Sequence, residues 1–236
     1  LNEYLAHGGF PEVVFSKRKD LLRDYFEAIL IRDIIARYNL KFRQSLKELA
    51  YILLTNISSM HSLYSLNKII QARSINTIKN YLMYLEDAYL IMKIPYFSYS
   101  AKKQLANPFK IYSIDIGMRN AVSSRFSQDI GKLYENIAAM HLAKAYGKEN
   151  VYYWKSTKHE EVDFIIKNGL KIMQIIQVCY NLESEETKKR EIKSLIKACK
   201  EFRQKKGMII TEDYESEETM DKIKIKFIPL WKWLLE

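Results

Sequence analysis

Seven glycines, four prolines and two cysteines among 236 residues exclude several kinds of protein at the outset. So little Gly and Pro rules out a collagen-like or low-complexity chain. Cys179 and Cys199 are too few and too unpatterned for a disulfide framework or a zinc site, so the expected setting is a reducing cytoplasm. No apolar run reaches the roughly 20 residues of a membrane-spanning helix, and no signal peptide is legible, so no membrane partner is expected. Nothing reads GxxxxGKS or GxxxxGKT, and so few glycines cannot build a phosphate loop, so no P-loop site for ATP is expected within this sequence. The chain opens on Leu1 rather than Met, and the expectation is a C-terminal piece of a longer protein.

What is present is apolar, aromatic and basic. Hydrophobic residues make up 48%, enough for a sizeable core in one large or two small domains, and two are expected. Thirty-eight Lys and Arg against 28 Asp and Glu give a net charge of +10, which favours an anionic partner such as DNA. The surplus is spread evenly: 13 basic against 9 acidic residues in the first hundred positions, 25 against 19 in the rest. Charge alone therefore does not locate a nucleic-acid footprint.

In the first region, Gly8-Gly9-Phe10-Pro11 interrupts short helical signals, and Leu21 to Leu30 runs on at helical period, with Arg32, Asp33 and Arg37 continuing the polar face. Three further helices are predicted. Leu46, Leu49, Ile52, Leu53 and Leu54 mark one, Leu66, Ile69 and Ile70 a short second capped by Ser62 or Ser65, and Ile75, Ile78, Leu82, Leu85 and Ala88 a third capped by Ser74. A tight turn at Ala72-Arg73 between the last two is a helix-turn-helix signature. The predicted outward face of the third helix carries Asn76, Thr77, Lys79, Asn80 and Tyr84, and together with Arg73 these are types that contact phosphates and read grooves. Tyr89 to Phe97 and Phe109 to Asp115 are expected as two wing strands, with Lys102, Lys103 and Lys110 near their connection.

The second region carries the chemistry. Leu133, Ile137 and Met140 fall at helical spacing and Gly147 stands past the end as a stop. Three β-rich runs follow, Val151 to Lys155, Glu161 to Lys167 and Lys171 to Tyr180, with Asn168-Gly169 as the expected type I′ turn of a hairpin. A long helix from Glu183 to Lys206, ended by Gly207, a buried strand Met208 to Thr211, a strand Ile223 to Leu230 and a terminal apolar cap of Trp231, Trp233, Leu234 and Leu235 complete the reading. Asp163 between Val162 and Phe164, Glu135 early in its helix, and Gln177 within Ile175-Ile176-Gln177-Val178 sit where a plain core would not put them. Singly each has a bland reading, a solvated edge Asp or a Glu at the positive end of a helix.

Taken in order, the helix Glu, the strand Asp and a second strand some fourteen residues on resemble the PD-(D/E)XK nuclease fold. The resemblance implies Asp163 and the Gln177 position as Mg²⁺ ligands, Glu135 as a further ligand, and a lysine that orients the attacking water. This chain departs from it where Glu-x-Lys is expected, reading Gln177-Val178-Cys179. A neutral amide binds a hard cation more weakly than a carboxylate, and a thiol supplies no positive charge. More broadly, GGFP at 8–11, RDI at 32–34, KIYSIDIGMRNA at 110–121, YEN at 134–136, VDF at 162–164, IQVCY at 176–180 and KRE at 189–191 resemble the region that follows the ATPase core in a family of archaeal and bacterial AAA-type ATPases. The resemblance implies a helical lid remnant and winged-helix region over 1–122, a nuclease-like α/β domain over 123–236, and Arg190 directed toward the Gln177 end of the sheet.

The expectation that follows is an α+β, α/β chain that serves such an ATPase as a DNA-binding accessory module with a degenerate nuclease site. Catalytic positions are Glu135, Asp163 and Gln177, the metal position is Asp163 with weak or absent Mg²⁺, and nucleic-acid contacts come from Arg73, Asn76, Thr77, Lys79, Asn80 and Arg190. A working Mg²⁺-dependent nuclease of Holliday-junction-resolvase type and a protein-protein module for the ATPase stay open as alternatives. The N-terminal ATPase domain is the implied partner, and a homo-oligomer is left open.

Overall fold

The computed structural model describes residues 1–123 and 129–236. The chain divides into two compact units, Leu1–Lys93 with Pro108–Gln128, and Ile94–Asn107 with Asp129–Glu236.

The first unit opens with α1 (Asn2–His7), α2 (Pro11–Ser16) and α3 (Asp20–Ala28). Pro11 sits at the first helical position of α2, where its missing N–H has no partner to lose. The periodicity predicts one continuous α-helix from Leu21 onward, but α3 passes into a π-helical stretch, Ile29–Ala36, a rare local geometry. Next come α4 (Arg43–Thr55), β1 (Ser59–His61), α5 (Leu63–Ile70), α6 (Ile75–Asp87) and β2 (Ile91–Pro95). Ser62 is the cap of α5, and Ser65 answers it from the third helical position, closing a capping box. Ser74 caps α6 through the Thr77 N–H at 3.2 Å. After α7 (Ala101–Ala106), which belongs to the second unit, β3 (Phe109–Ser113) and α8 (Ile116–Val122) complete the first.

The small sheet of this unit has the order β1-β3-β2, with β1 and β3 antiparallel. Leu30, Ile34, Leu46, Leu49, Leu53, Leu66, Ile78 and Leu85 form its core, all at 0% exposure. Lys110, expected in a basic wing connection, is instead 2% exposed within β3. The two glycine-bearing motifs meet here. Asp115 accepts from the Gly9 N–H and the Met118 N–H, each at 2.7 Å, and so both caps α8 and pins the turn after α1. Gly8 takes φ +74°, and any side chain there would run into the Asp115 carboxylate.

The second unit holds α9 (Ile130–Tyr146), β4 (Val151–Lys155), β5 (Glu161–Asn168), β6 (Lys171–Val178), α10 (Glu185–Glu201), β7 (Lys206–Thr211), β8 (Ser216–Met220), β9 (Ile223–Pro229) and α11 (Leu230–Trp233). Its six-stranded mixed sheet has the order β4-β5-β6-β7-β9-β8. β6, β7 and β9 run parallel, and the apolar Ile209-Ile210 pair suits that doubly covered centre. The fold is thus a mixed α+β one, helices first and a six-stranded mixed sheet after. No helix among the described residues is long and apolar enough to cross a membrane.

Several local expectations are corrected. The hairpin pairs Asn168 with Lys171, so its two turn residues are Gly169 and Leu170, and of these only Gly169 has positive φ. That is the turn with glycine first, one residue along from the expected Asn-Gly centre. Gly207 does not end α10, which stops at Glu201; it lies in β7 with Leu195 packed so close that a Cβ would touch it at 2.9 Å. The terminal apolar cap is only partly one, since Leu230 and Trp233 are buried while Trp231 is 52% and Leu235 81% exposed. The strand β8, reading Ser-Glu-Glu-Thr-Met, has no apolar alternation because it is a charged sheet edge.

Segment Ile94–Asn107 covers the other edge. The Phe97 N–H donates to the Tyr153 carbonyl at 2.7 Å, Tyr96 bridges Tyr153, and the Phe97 ring meets Tyr152 and Phe202 edge-on inside the core against α10. What the sequence presents as the connection between two wing strands is therefore sheet edge and core of the second unit.

Candidate functional site

The groove of the second unit is built by a bulge. Trp154 faces Val162 and Tyr152 faces Ile165, so Asp163 and Phe164 together oppose the single residue Tyr153. A bulge of this kind re-aims the side chain that it carries. Phe164 pairs with Ile176 on β6, which brings Gln177 alongside Asp163. The Gln177 Oε1 accepts the Asp163 N–H at 3.2 Å, and an Asp163 carboxylate oxygen accepts the Val178 N–H at 3.0 Å. Both side chains are nearly enclosed, each at 6% exposure.

From α10, Glu191 closes the cluster. Gln177 Nε2 donates to one of its oxygens at 2.8 Å, and the Arg190 guanidinium forks onto the other at 2.7 and 3.0 Å. Burial first, and the Asp163 charge as well, push the Glu191 carboxyl above the ordinary carboxylate range, against the pull of Arg190. The open side is a groove of about 430 Å³ with Lys158, His159, Glu161 and Lys193 on its rim. Burial pushes the neighbouring Cys179 thiol up to about 12, so the free thiol stays protonated and is a poor nucleophile at neutral pH.

Glu191 was not among the sequence candidates, and a signal for it exists. With Leu195 and Ala198 it falls at the i, i+4, i+7 spacing of a core-facing stripe, where a carboxylate calls for a partner. Glu135 lies on α9 and is half-buried. Val162, Ile165, Ile175 and Cys179 pack with Ile192, Leu195 and Ala198 of α10, a cluster that holds no α9 side chain among the described residues. α9 packs on β4, β5 and β6, and Glu135 is not among the residues that line the groove.

The donor set does not suit Mg²⁺. Among the described residues no three His, Cys, Asp or Glu side chains converge as a metal site. Asp163 and Glu191 have an amide between them, its oxygen already accepting a backbone N–H, whereas a hard cation asks for near-octahedral oxygen ligands.

In the first unit, Arg73, Asn76, Lys79 and Asn80 are exposed along the start of α6. Thr77 is half-buried, its hydroxyl 3.1 Å from that of Ser74. Tyr84, expected outward, is half-buried and stacked on Tyr38, and Ile75, expected inside, is 43% exposed. Arg73 lays its guanidinium 4.3 Å from the centre of the Phe42 ring.

Residues 1–129 match a family model described as "Domain of unknown function (DUF8612)", and residues 130–233 a second described as "Domain of unknown function (DUF4143)". A Methanocaldococcus jannaschii protein named "Uncharacterized protein MJ1544" is 35% identical over 253 residues, with 100% of this chain and 55% of the relative covered. A Haemophilus influenzae "Uncharacterized protein" is 24% identical over 237 residues, with 98% of this chain and 57% of the relative covered. The chain thus spans little more than half the length of these curated relatives. No solved structure matches it.

Proposed function

The chain belongs to the family described as "Domain of unknown function (DUF8612)", and from that footing we propose that it is the nucleic-acid-binding accessory part of a longer AAA-type ATPase protein, carrying a nuclease-like site that does not turn over. The observation that carries the reading is the surface of α6, where Arg73, Asn76, Lys79 and Asn80 stand exposed just after a tight turn. The order α4-β1-α5-α6-β2-α7-β3, with sheet order β1-β3-β2, supports a winged-helix reading, in which the last helix before the wing enters a groove. A net charge of +10 supplies the long-range attraction.

In the second unit the order α9-β4-β5-β6-α10-β7 supports a PD-(D/E)XK-like domain. Phosphodiester cleavage by such a domain needs an activated water and a cation on the developing charge. Gln177 supplies a neutral oxygen engaged elsewhere and Cys179 a neutral thiol, so binding without efficient cutting is the expected behaviour.

The test is a titration of the whole chain with duplex DNA at several salt concentrations, beside incubation with branched and single-stranded DNA in Mg²⁺ and Mn²⁺. Neutralised phosphates give a linear log-log salt dependence. Binding that ignores salt, or is absent, removes the nucleic-acid reading. Robust cutting abolished by Asp163→Ala replaces the accessory reading with that of a working nuclease.

A further inference from the structure

We propose that the first unit carries a second nucleic-acid contact at the C-terminal end of α6, a pocket that takes an unpaired base of a single strand. The inference rests on the nucleic-acid reading above but uses other residues. A hollow of about 320 Å³ is lined by Arg32, Asp33, Arg37, Tyr38, Tyr84 and Tyr89, with Asp87 beside them.

Its wall is a preformed stack of planar groups. The Tyr38 and Tyr84 rings lie 3.8 Å apart and 18° from parallel, and the Arg37 guanidinium sits 5.6 Å from the centre of the Tyr38 ring. Arg32 is committed to Asp33, but Arg37 has no ion pair among the described residues and can meet a phosphate. The π-helical stretch Ile29–Ala36 brings Arg32 and Asp33 to this wall, and such stretches are frequent at functional sites.

The second observation is Tyr89. It is 77% exposed and has φ +53°, where a bulky residue is an outlier. The Leu90 N–H reaches back to the Leu85 carbonyl and the Tyr89 N–H to that of Glu86, each at 3.0 Å, which is the helix ending that ordinarily takes glycine at this place. Tyrosine here accepts backbone strain and gains no burial. Its ring is left at the mouth of the hollow, free to meet a ligand.

The chemistry selects a nucleotide with its base exposed. Stacking on aromatic rings accepts any base through its π-face, and Arg37 supplies the charge for its phosphate. Asp33 and Asp87 repel a continuous run of phosphates but accept hydrogen bonds from exocyclic amino groups. A paired duplex hides its base faces and cannot use such a pocket.

The experiment is fluorescence anisotropy of the whole chain with three probes: a blunt duplex, the same duplex with a short single-stranded overhang, and that overhang made of abasic sites. The overhang with bases should bind roughly tenfold tighter than the blunt duplex, the size of one base stack, and the abasic overhang should lose most of that gain. Tyr89→Gly should remove the gain while raising the thermal midpoint slightly, because glycine accepts the positive φ, and Tyr89→Phe should keep it. Loss of function with a gain in stability is an outcome that a structural tyrosine would not give. Equal binding of the abasic and base-bearing overhangs, or an unchanged gain in Tyr89→Gly, overturns the pocket alone and points its hollow to a protein partner. Failure to bind all three probes overturns the nucleic-acid reading as well.

Discussion

Gln177 donates a 2.8 Å hydrogen bond to Glu191 while its other amide atom takes the backbone N–H of Asp163. A neutral side chain thereby occupies the place between two carboxylates that an ion would otherwise have to fill. The arrangement satisfies both ends of the amide and leaves the largely enclosed Glu191 carboxylate dependent on Arg190 and Gln177 for compensation.

Replacing that amide by an acid should expose the dependence. Gln177→Glu removes the donor to Glu191 and sets a third carboxylate among Asp163 and Glu191, and leaving a buried charged group without its bond costs on the order of 1 to 3 kcal/mol. For a chain of this size that is a fall of several degrees in the thermal midpoint at pH 7. Mn²⁺ should restore part of the loss in the variant and shift the unaltered protein very little. Thermal melts with and without the ion read both, and a large Mn²⁺ shift in the unaltered protein would show that the groove already holds metal.

The pH dependence of Glu191 has a definite sign. Burial, with the charge of Asp163, raises its folded pKa. The protonated form is thus favoured by folding, so the stability it contributes is complete below the unfolded value of about 4.3 and is lost as pH rises through the raised folded value. Glu191→Gln carries no charge at any pH and should melt above the unaltered protein at pH 7, with the advantage shrinking toward pH 4. An advantage that grows on acidification would contradict the sign.

Much of the architecture was legible because local chemistry and global packing agree. The Ser74 cap, the Leu49, Leu53 and Ile78 stripe positions and the β5–β6 hairpin all declare themselves within a few residues. What was hidden depends on distant partners. Asp115 reads as the last residue of a wing strand until it is seen to hold Gly9, over a hundred positions earlier. Glu191 reads as a wet helix residue inside Lys-Lys-Arg-Glu, and only the packing of α10 on the sheet gives it Gln177 of β6 as a partner. Lys110 was misplaced because a lysine flanked by Phe109 and Ile111 carries no local mark of burial.

If α6 enters a groove, Lys79 contributes charge rather than sequence preference. Lys79→Ala should weaken binding to unrelated duplexes by about the same factor and make the log-log salt slope shallower by about one unit, since one phosphate fewer is neutralised. The measurement is a titration at three or more salt concentrations with two duplexes of different sequence. Loss confined to one sequence, or no change in slope, would assign this face of the helix to another role.

The last prediction concerns the division of the chain. The second family model begins at residue 130, yet Phe97 lies in the same core as Tyr152, Trp154, Ile192 and Phe202, at 4% exposure. Emptying a buried phenylalanine site costs about 3 to 5 kcal/mol, because the lost transfer energy is joined by the cavity left behind. Phe97→Ala should therefore destabilise the second unit strongly, whereas Phe15→Ala, at a site 86% exposed in the first, should change stability by no more than about half a kcal/mol. Amide hydrogen exchange localises the effect: in Phe97→Ala, faster exchange should appear in β4 and α10 before α4 and α6. A fragment beginning at residue 130 should lose protection in the same places, and if it proves as stable as the whole chain through β4, the segment Ile94–Asn107 is a covering strand without a share in the core.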